Sequence, residues 1–149
     1  MAEQVVIFQL GSEEYAVPIE KVHEIIRLGE VRPIPQAPEY LLGLINLRGK
    51  SIPVIDLHVR FNIRAKRQDF QATKAQSQGL IVEMHGFIVG LLVEQVLEVR
   101  TFDGFDPPPP LVNAPFISGV INLGDRIIMQ LIPDKIIEDG ELQNIREII

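Results

Sequence analysis

The sequence contains no cysteine and no tryptophan, and aromatic residues make up only 6% of it. Without cysteine the chain forms neither a disulfide nor a thiolate site, which agrees with a reducing compartment. No apolar run approaches the roughly 20 residues of a membrane-spanning helix. The acidic, polar start over residues 1–4 lacks the basic segment of a signal peptide. We therefore expect a cytoplasmic protein without direct membrane insertion.

The charge balance is acidic, with a net charge of -6 over 149 residues. A barrel that binds nucleic acid usually has a basic face with stacking aromatic side chains. The acidic balance and the two tyrosines argue against such a partner, and against adhesion to anionic lipid. The 46% of hydrophobic residues suffices for the core of one compact domain or of two tightly joined subdomains.

The residues that catalysis or metal binding would need do not form a recognisable motif. The three histidines lie far apart, without a metal-binding spacing, and are interpreted as surface or interface residues: His23, His58 and His85. Neither a nucleophile elbow nor a phosphate-binding glycine loop is present. We therefore predict no enzyme, with no catalytic residue, no metal and no cofactor.

Short β-branched segments between turn signals predict strands over 5–10, 15–17, 23–28, 51–57, 80–84, 87–93 and 126–132. Pro53 indicates an edge position or a bulge for its strand. The polar stretch 62–78 is interpreted as a linker or mobile loop. Helical spacing in the tail, interrupted at Gly140, predicts one or two short helices. The pattern favours an all-β barrel or sandwich with a few short helices.

Two blocks of the sequence recur in the same order. Val17–Ile25 aligns with Leu91–Val99, and Gly43–Leu47 aligns with Gly119–Leu123. Two blocks at nearly constant offset indicate an internal duplication. Because each half alone would be marginally stable, we predict two small β-barrels packed on a shared hydrophobic core.

This duplication suggests the following organisation within a single domain over 1–149. The first barrel is predicted over 12–78, the second over 79–137, and a C-terminal helical tail over 138–149. The sequence leaves open whether the first strand of each half, 5–10 or 80–84, pairs into the other barrel.

The two copies differ at one conspicuous place. Arg48-Gly49 in the first copy becomes Gly124-Asp125 in the second, which puts a candidate recognition charge in one half only. Arg48 is either an ordinary turn residue or a recognition residue, because a guanidinium on a rigid turn suits partner carboxylates and carbonyls. Glu20 and Glu24 recur as Glu94 and Glu98, and this repetition favours a structural or surface role over a catalytic pair.

These motifs together resemble those of one family. The segments that carry the resemblance are Phe8–Tyr15, Val22–Ile25, Asn46–Gly49, Ile52–Leu57 and Gly124–Arg126. The chain is similar over about residues 5–137 to the CheW family of bacterial chemotaxis coupling proteins. The resemblance implies two SH3-like five-stranded β-barrels around a shared core.

The resemblance also implies a non-enzymatic adaptor in chemotaxis signal transduction. Such an adaptor couples the regulatory domain of the histidine kinase CheA to the cytoplasmic tips of methyl-accepting chemoreceptors, and is recruited to membrane-associated receptor arrays. Receptor contact maps by resemblance to Val22, Glu24 and Arg48, and kinase engagement maps to Gly43. Val96, the repeat partner of Val22, is a symmetric candidate for the second wall of a groove that holds a receptor helix.

Other interpretations remain open at this point. One is an adaptor of a related kinase array, such as the array that serves twitching motility. The other is a small β-barrel that binds nucleic acid or a ligand.

Overall fold

Ten strands in two five-stranded sheets make up most of the computed structural model, which describes residues 2–63, 78–110 and 114–148. The strands are β1 Glu3–Leu10, β2 Glu13–Pro18, β3 Val22–Arg27, β4 Leu41–Leu47, β5 Lys50–Asp56, β6 Gln78–Met84, β7 Phe87–Val93, β8 Gln95–Phe102, β9 Ile117–Asn122 and β10 Ile127–Leu131. The helices are a 3₁₀ turn at Ile19–Lys21, α1 Leu57–Arg60, α2 Pro133–Ile136 and α3 Asp139–Ile148. The predicted all-β class with a few short helices is confirmed.

Two local predictions need correction. Of the two positions predicted for Pro53, the edge was wrong, since β5 runs between β4 and β7. A β-bulge does lie beside it, because the β4–β5 register shifts between Leu41 and Gly43, opposite Ile55 and Val54. Pairing with β7 begins only at Val54, so the missing N–H of Pro53 is not needed in that ladder. Gly140 does not interrupt the tail, because it lies in the first turn of α3. The loop predicted over 62–78 falls mostly on residues 64–77, outside the described residues.

The sheets have the same topology. Sheet A has the order β8-β1-β2-β10-β9, and sheet B has the order β3-β6-β7-β5-β4. Replacing each strand by its repeat partner, five positions along the chain, converts one order into the other. Each sheet combines a hairpin of one half with three strands of the other half, so that β1 lies between β2 and β8. The duplication is therefore a property of the backbone, while the bounds 12–78 and 79–137 stay predictions.

Each sheet closes on itself through an equivalent bridge. In sheet B, the Arg32 N–H donates to the Leu44 carbonyl at 2.9 Å, and the Leu44 N–H donates back at 2.8 Å. In sheet A, Asp106 and Val120 exchange the same two bonds at 2.9 and 2.7 Å. Both bridges tie the chain that leaves one edge strand to the opposite edge strand. Closure satisfies edge groups that an open sheet would expose.

The largest hydrophobic cluster is shared between the sheets. Sheet A contributes side chains that include Val6, Phe8, Tyr15 and Leu131, and sheet B contributes Leu41, Ile55, Leu80, Met84 and Leu91. Ile145 of α3 joins the same cluster. Burial of one continuous apolar cluster stabilises both units together, and the predicted shared core is confirmed.

Candidate functional site

Arg48 lies at the tip of the hairpin that joins β4 to β5. Leu47 pairs with Lys50, so the turn contains only Arg48 and Gly49. Their φ angles are +53° and +83°, the left-handed pair of a two-residue hairpin turn whose twist matches that of the strands. Asn46 fixes the turn because its Oδ1 accepts the Gly49 N–H at 2.9 Å. The Arg48 side chain is 74% exposed on this rigid support.

Glu24 on β3 holds the guanidinium of Arg48 with both carboxylate oxygens. Arg48 Nη2 donates to Glu24 Oε1 at 3.0 Å, and Arg48 Nη1 donates to Glu24 Oε2. The hydrogen bond and then the charge of Glu24 raise the pKa of Arg48 above its usual value. The side chain of Glu24 is 26% exposed. The structure thus joins two predicted site residues that are 24 positions apart, at the place where sheet B closes.

Val22 and Val96 occupy equivalent places in the two sheets. Val22 lies on β3 and pairs with Val82, whereas Glu24 pairs with Ile81, so a β-bulge between them turns the two side chains to opposite faces. Val96 lies on β8, in sheet A, and the same kind of register shift separates it from Glu98. Both valines are half-buried and pack against the shared core. Each predicted valine therefore lies two residues before a glutamate of the repeat but on the other face of its strand.

The second half also carries a paired arginine, which the comparison of the copies at Arg48 missed. Arg126 Nε donates to Glu14 Oε2 at 3.1 Å, and Arg126 Nη1 lies 3.6 Å from Glu98 Oε2. Glu98 is the repeat partner of Glu24. Arg126 escaped the alignment because it lies two residues beyond Gly124, the position that aligns with Arg48. We interpret this buttressed arginine as structural, and the recognition charge at Arg48 stays a prediction. Pairing of Arg126 with Glu14, 112 residues away, has no local sequence signal.

Gly43 is buried within β4 and does not contact the Glu24–Arg48 pair through a side chain, since it has none. Its φ is +154°, and a Cβ at this position would overlap the Arg32 carbonyl oxygen of the closing bridge. Gly119 holds the equivalent position beside the Asp106 carbonyl, 2.6 Å from where its Cβ would lie. Both glycines therefore permit the close backbone approach that closes each sheet. The kinase contact at Gly43 stays a prediction.

His58 is buried at 1% exposure, so its interpretation as a surface residue was wrong. Its Nε2 lies 3.0 Å from Glu94 Oε2, and its Nδ1 lies 3.5 Å from Asp56 Oδ1. Burial alone would lower the pKa of His58, but the hydrogen bonds with Asp56 and Glu94 raise it above its ordinary value. Glu94 Oε2 also accepts the N–H of Gly11 in the β1–β2 turn. The group thus ties sheet B to sheet A.

Within the described residues, no group of three or more histidine, aspartate or glutamate side chains is placed to hold a metal ion. Over the same ranges no helix has both the length and the apolar character needed to cross a membrane.

Fold and site together define an internally duplicated double-barrel β protein in which each unit carries an arginine–glutamate pair at its β-hairpin turn. A family model described as the CheW-like domain matches residues 4–141. The chain is 33% identical over 147 residues to the chemotaxis protein CheW of Treponema pallidum, with 95% of this chain and 86% of that protein covered. It is 30% identical over 141 residues to the chemotaxis protein CheW of Helicobacter pylori, with coverages of 91% and 81%.

Among solved structures, the scaffolding protein TtCheW of Thermoanaerobacter tengcongensis matches with a TM-score of 0.81 and 36% identity. The match covers 95% of this chain and 96% of that one. The chain belongs to the CheW family, and its function is that of a chemotaxis coupling adaptor.

Proposed function

We propose that the protein couples the cytoplasmic tips of methyl-accepting chemoreceptors to the regulatory domain of the histidine kinase CheA. It does so without catalysis of its own, in the cytoplasm and at membrane-associated receptor arrays. Val22, Glu24, Arg48 and Val96 contact the receptor, and the segment around Gly43 engages the kinase. The observation that carries the proposal is the bidentate ion pair between Glu24 and Arg48, which lies on an exposed, rigid hairpin turn.

The Arg48–Glu24 pair is better suited to recognition than to stability. An exposed ion pair contributes little to folding because water already solvates both charges. A guanidinium has five N–H donors, and Glu24 takes two of them, so the remaining donors are available to a partner. Glu24 fixes the plane of the guanidinium, which lowers the entropy cost of binding a carboxylate or carbonyl.

Val22 supplies apolar surface next to this charge. It is half-buried at the border of the shared core, two residues before Glu24 on β3, with a β-bulge between the two. An apolar strip flanked by a fixed charge fits the apolar face of an amphipathic helix. A contact of roughly 1,000–1,600 Å² in total is the size expected for a reversible complex.

The direct test is a binding assay with a receptor cytoplasmic fragment and, separately, a CheA regulatory domain. We expect Arg48→Glu to weaken receptor binding about tenfold, because the partner then meets a like or uncompensated charge. The control is Arg32→Glu, an exposed arginine of the same unit outside the pair with Glu24. Wild-type binding to neither partner would overturn the proposal.

A double variant separates contact from positioning. Combining Arg48→Glu with Glu24→Arg keeps an ion pair but moves the guanidinium from the turn to β3. If the Arg48 guanidinium itself contacts the receptor, binding stays weak in the double variant. Recovery of wild-type affinity would instead assign the pair a structural role and remove Arg48 from the contact surface.

The kinase side needs a readout of folding beside binding. Gly43→Asp introduces a Cβ that overlaps the Arg32 carbonyl, so we expect loss of stability together with loss of kinase binding. Circular dichroism melting of the same sample reports the first effect. Undiminished kinase binding by a folded Gly43→Asp variant would contradict a kinase contact at this segment.

A further inference from the structure

An apolar cavity of about 170 Å³ lies between α3 and the strands of sheet B. Most of its lining is apolar and includes Pro53, Ile55, Val89, Ile137, Leu142 and Ile145, while Ser51 and Arg146 add polar groups. Close packing normally leaves few voids larger than a water molecule in a protein interior. A space of this size beneath a helix therefore requires an explanation.

The internal duplication supplies that explanation. In the β1–β2 hairpin Phe8 lies opposite Tyr15, and in the equivalent β6–β7 hairpin Val82 lies opposite Val89. Val89 thus has the position in sheet B that Tyr15 has in sheet A. By the same correspondence Ile137, directly after α2, matches Phe61, directly after α1.

Aromatic rings fill the equivalent space in the other unit. The Tyr15 and Phe61 ring centroids are 5.6 Å apart, and Phe61 stacks on Phe116 at 4.5 Å. In sheet B the positions of Tyr15 and Phe61 carry Val89 and Ile137, and both line the cavity. The cavity is therefore where two rings are replaced by smaller branched side chains.

Helix α3 covers this space but is anchored unequally. Near its start, Glu141 accepts bonds of 2.8 and 2.6 Å from Arg60. Near its end, Arg146 stacks over the exposed Phe87 ring with its guanidinium carbon 4.9 Å from the centroid. Phe87 and Arg146 also line the cavity. Both side chains are exposed, so the cavity opens to solvent on this side and a ligand can enter there.

We propose that this cavity binds a small apolar molecule, a single-ring arene or a branched alkane of about six to eight heavy atoms. Apolar cavities of about 150 Å³ stay dry and accept benzene, so the size and the lining match this class. A hydroxyl on the ring that faces the aliphatic walls, away from Ser51 and Arg146, would lose its hydrogen bonds to water. Bound ligand fills the space that a ring fills in sheet A and holds α3 against sheet B.

Toluene, with phenol as the comparison, tests the proposal on the intact chain. With the Ile and Val methyl groups ¹³C-labelled, we expect toluene to shift the signals of Val89, Ile137 and Ile145. The Tm should rise by about 3 °C at a toluene concentration ten times Kd. Phenol should bind at least about tenfold more weakly. Absence of these shifts at toluene saturation, or shifts confined to sheet A, would overturn the proposal.

A substitution that restores the ring locates the site. Val89→Phe should occupy the cavity, keep the fold and weaken toluene binding at least about tenfold. The matched control is Val99→Phe on exposed β8, which should leave toluene binding unchanged. Wild-type affinity in a folded Val89→Phe variant contradicts the site. If Val89→Phe does not fold, Val89→Leu is expected to weaken binding in the same direction, and unchanged affinity in it contradicts the site equally.

Discussion

Sheets A and B have the same backbone topology but differ in their side chains. Strand order and closing bridge are the same, and an asparagine caps the turn in each unit. Asn122 Oδ1 accepts the N–H of Gly124, two residues on, at 2.8 Å, whereas Asn46 Oδ1 accepts the N–H of Gly49, three residues on. The units differ in the filling of their cores and in the position of their hairpin arginine. After duplication the backbone constraints persisted, and the side chains at the seam and at the turns diverged.

The largest difference in stability between equivalent substitutions in the two sheets is expected at the glycines of the closing bridges. Gly43→Ala should cost about 3 to 5 kcal/mol of unfolding free energy, because its Cβ overlaps backbone at a φ that side chains rarely adopt. Gly119→Ala should cost less, since part of its overlap is with the partly exposed Phe105 ring. Urea unfolding of both variants measures the difference. Equal losses of unfolding free energy would show that both bridges tolerate a side chain at the glycine equally poorly.

The next effect concerns the aromatic filling of sheet A. Tyr15→Val makes this position like Val89 and should cost about 2 to 4 kcal/mol, since it opens a cavity beside Phe8 and Phe61. Tyr15→Phe keeps the ring and should remain within about 1 kcal/mol of wild type. Thermal unfolding of the two variants reports the loss. If Tyr15→Val unfolded at the wild-type temperature, the aromatic ring would not contribute to the stability of sheet A.

A smaller effect depends on pH and on one unit only. His58 pairs with Asp56 and Glu94, whereas its repeat partner is Asp134, which cannot form an imidazolium. The folded state raises the pKa of His58 above 6.5, so its stabilisation is complete below pH 6.5 and is lost as the pH rises through the folded-state pKa. His58→Gln should therefore reduce the fall in unfolding free energy that accompanies a rise in pH above 6.5.

Urea midpoints across this pH range measure the slope, with His23→Gln as the control on an exposed strand position. A wild-type slope in His58→Gln would show that other groups cause the pH dependence.

The smallest effects are expected at the two arginines. Arg126→Gln should lower the unfolding free energy by less than about 1 kcal/mol, because Arg126 and Glu14 are partly exposed. Arg48→Gln should leave the urea midpoint unchanged, since the guanidinium is exposed to solvent. An equal loss in both variants would erase the proposed distinction between a structural and a recognition arginine.

Local patterns predicted what depends on neighbours in sequence. β-branched segments located seven of the ten described strands and missed β4, β8 and β9. Recurrence of Gly43–Leu47 at Gly119–Leu123 indicated the duplication and hence the shared core. Contacts between distant segments left no such signal. The burial of His58 depends on Glu94, which is 36 residues away, and the pairing of Arg126 depends on Glu14. The cause of the cavity, the replacement of Tyr15 and Phe61 by Val89 and Ile137, follows only from the strand registers and the element order, which identify the equivalent residues of the two halves.

The exchange of hairpins between the halves has a consequence for synthesis of the chain. Glu3 pairs with Phe102, and β2 pairs with β10, so the first hairpin finds its neighbours only after β8 and β10 have been synthesised. Contacts between such distant segments must overcome the entropy of closing long loops before they stabilise anything. All strands of sheet B lie between Val22 and Val93, so sheet B has its full set of strands first and sheet A completes its pairing later.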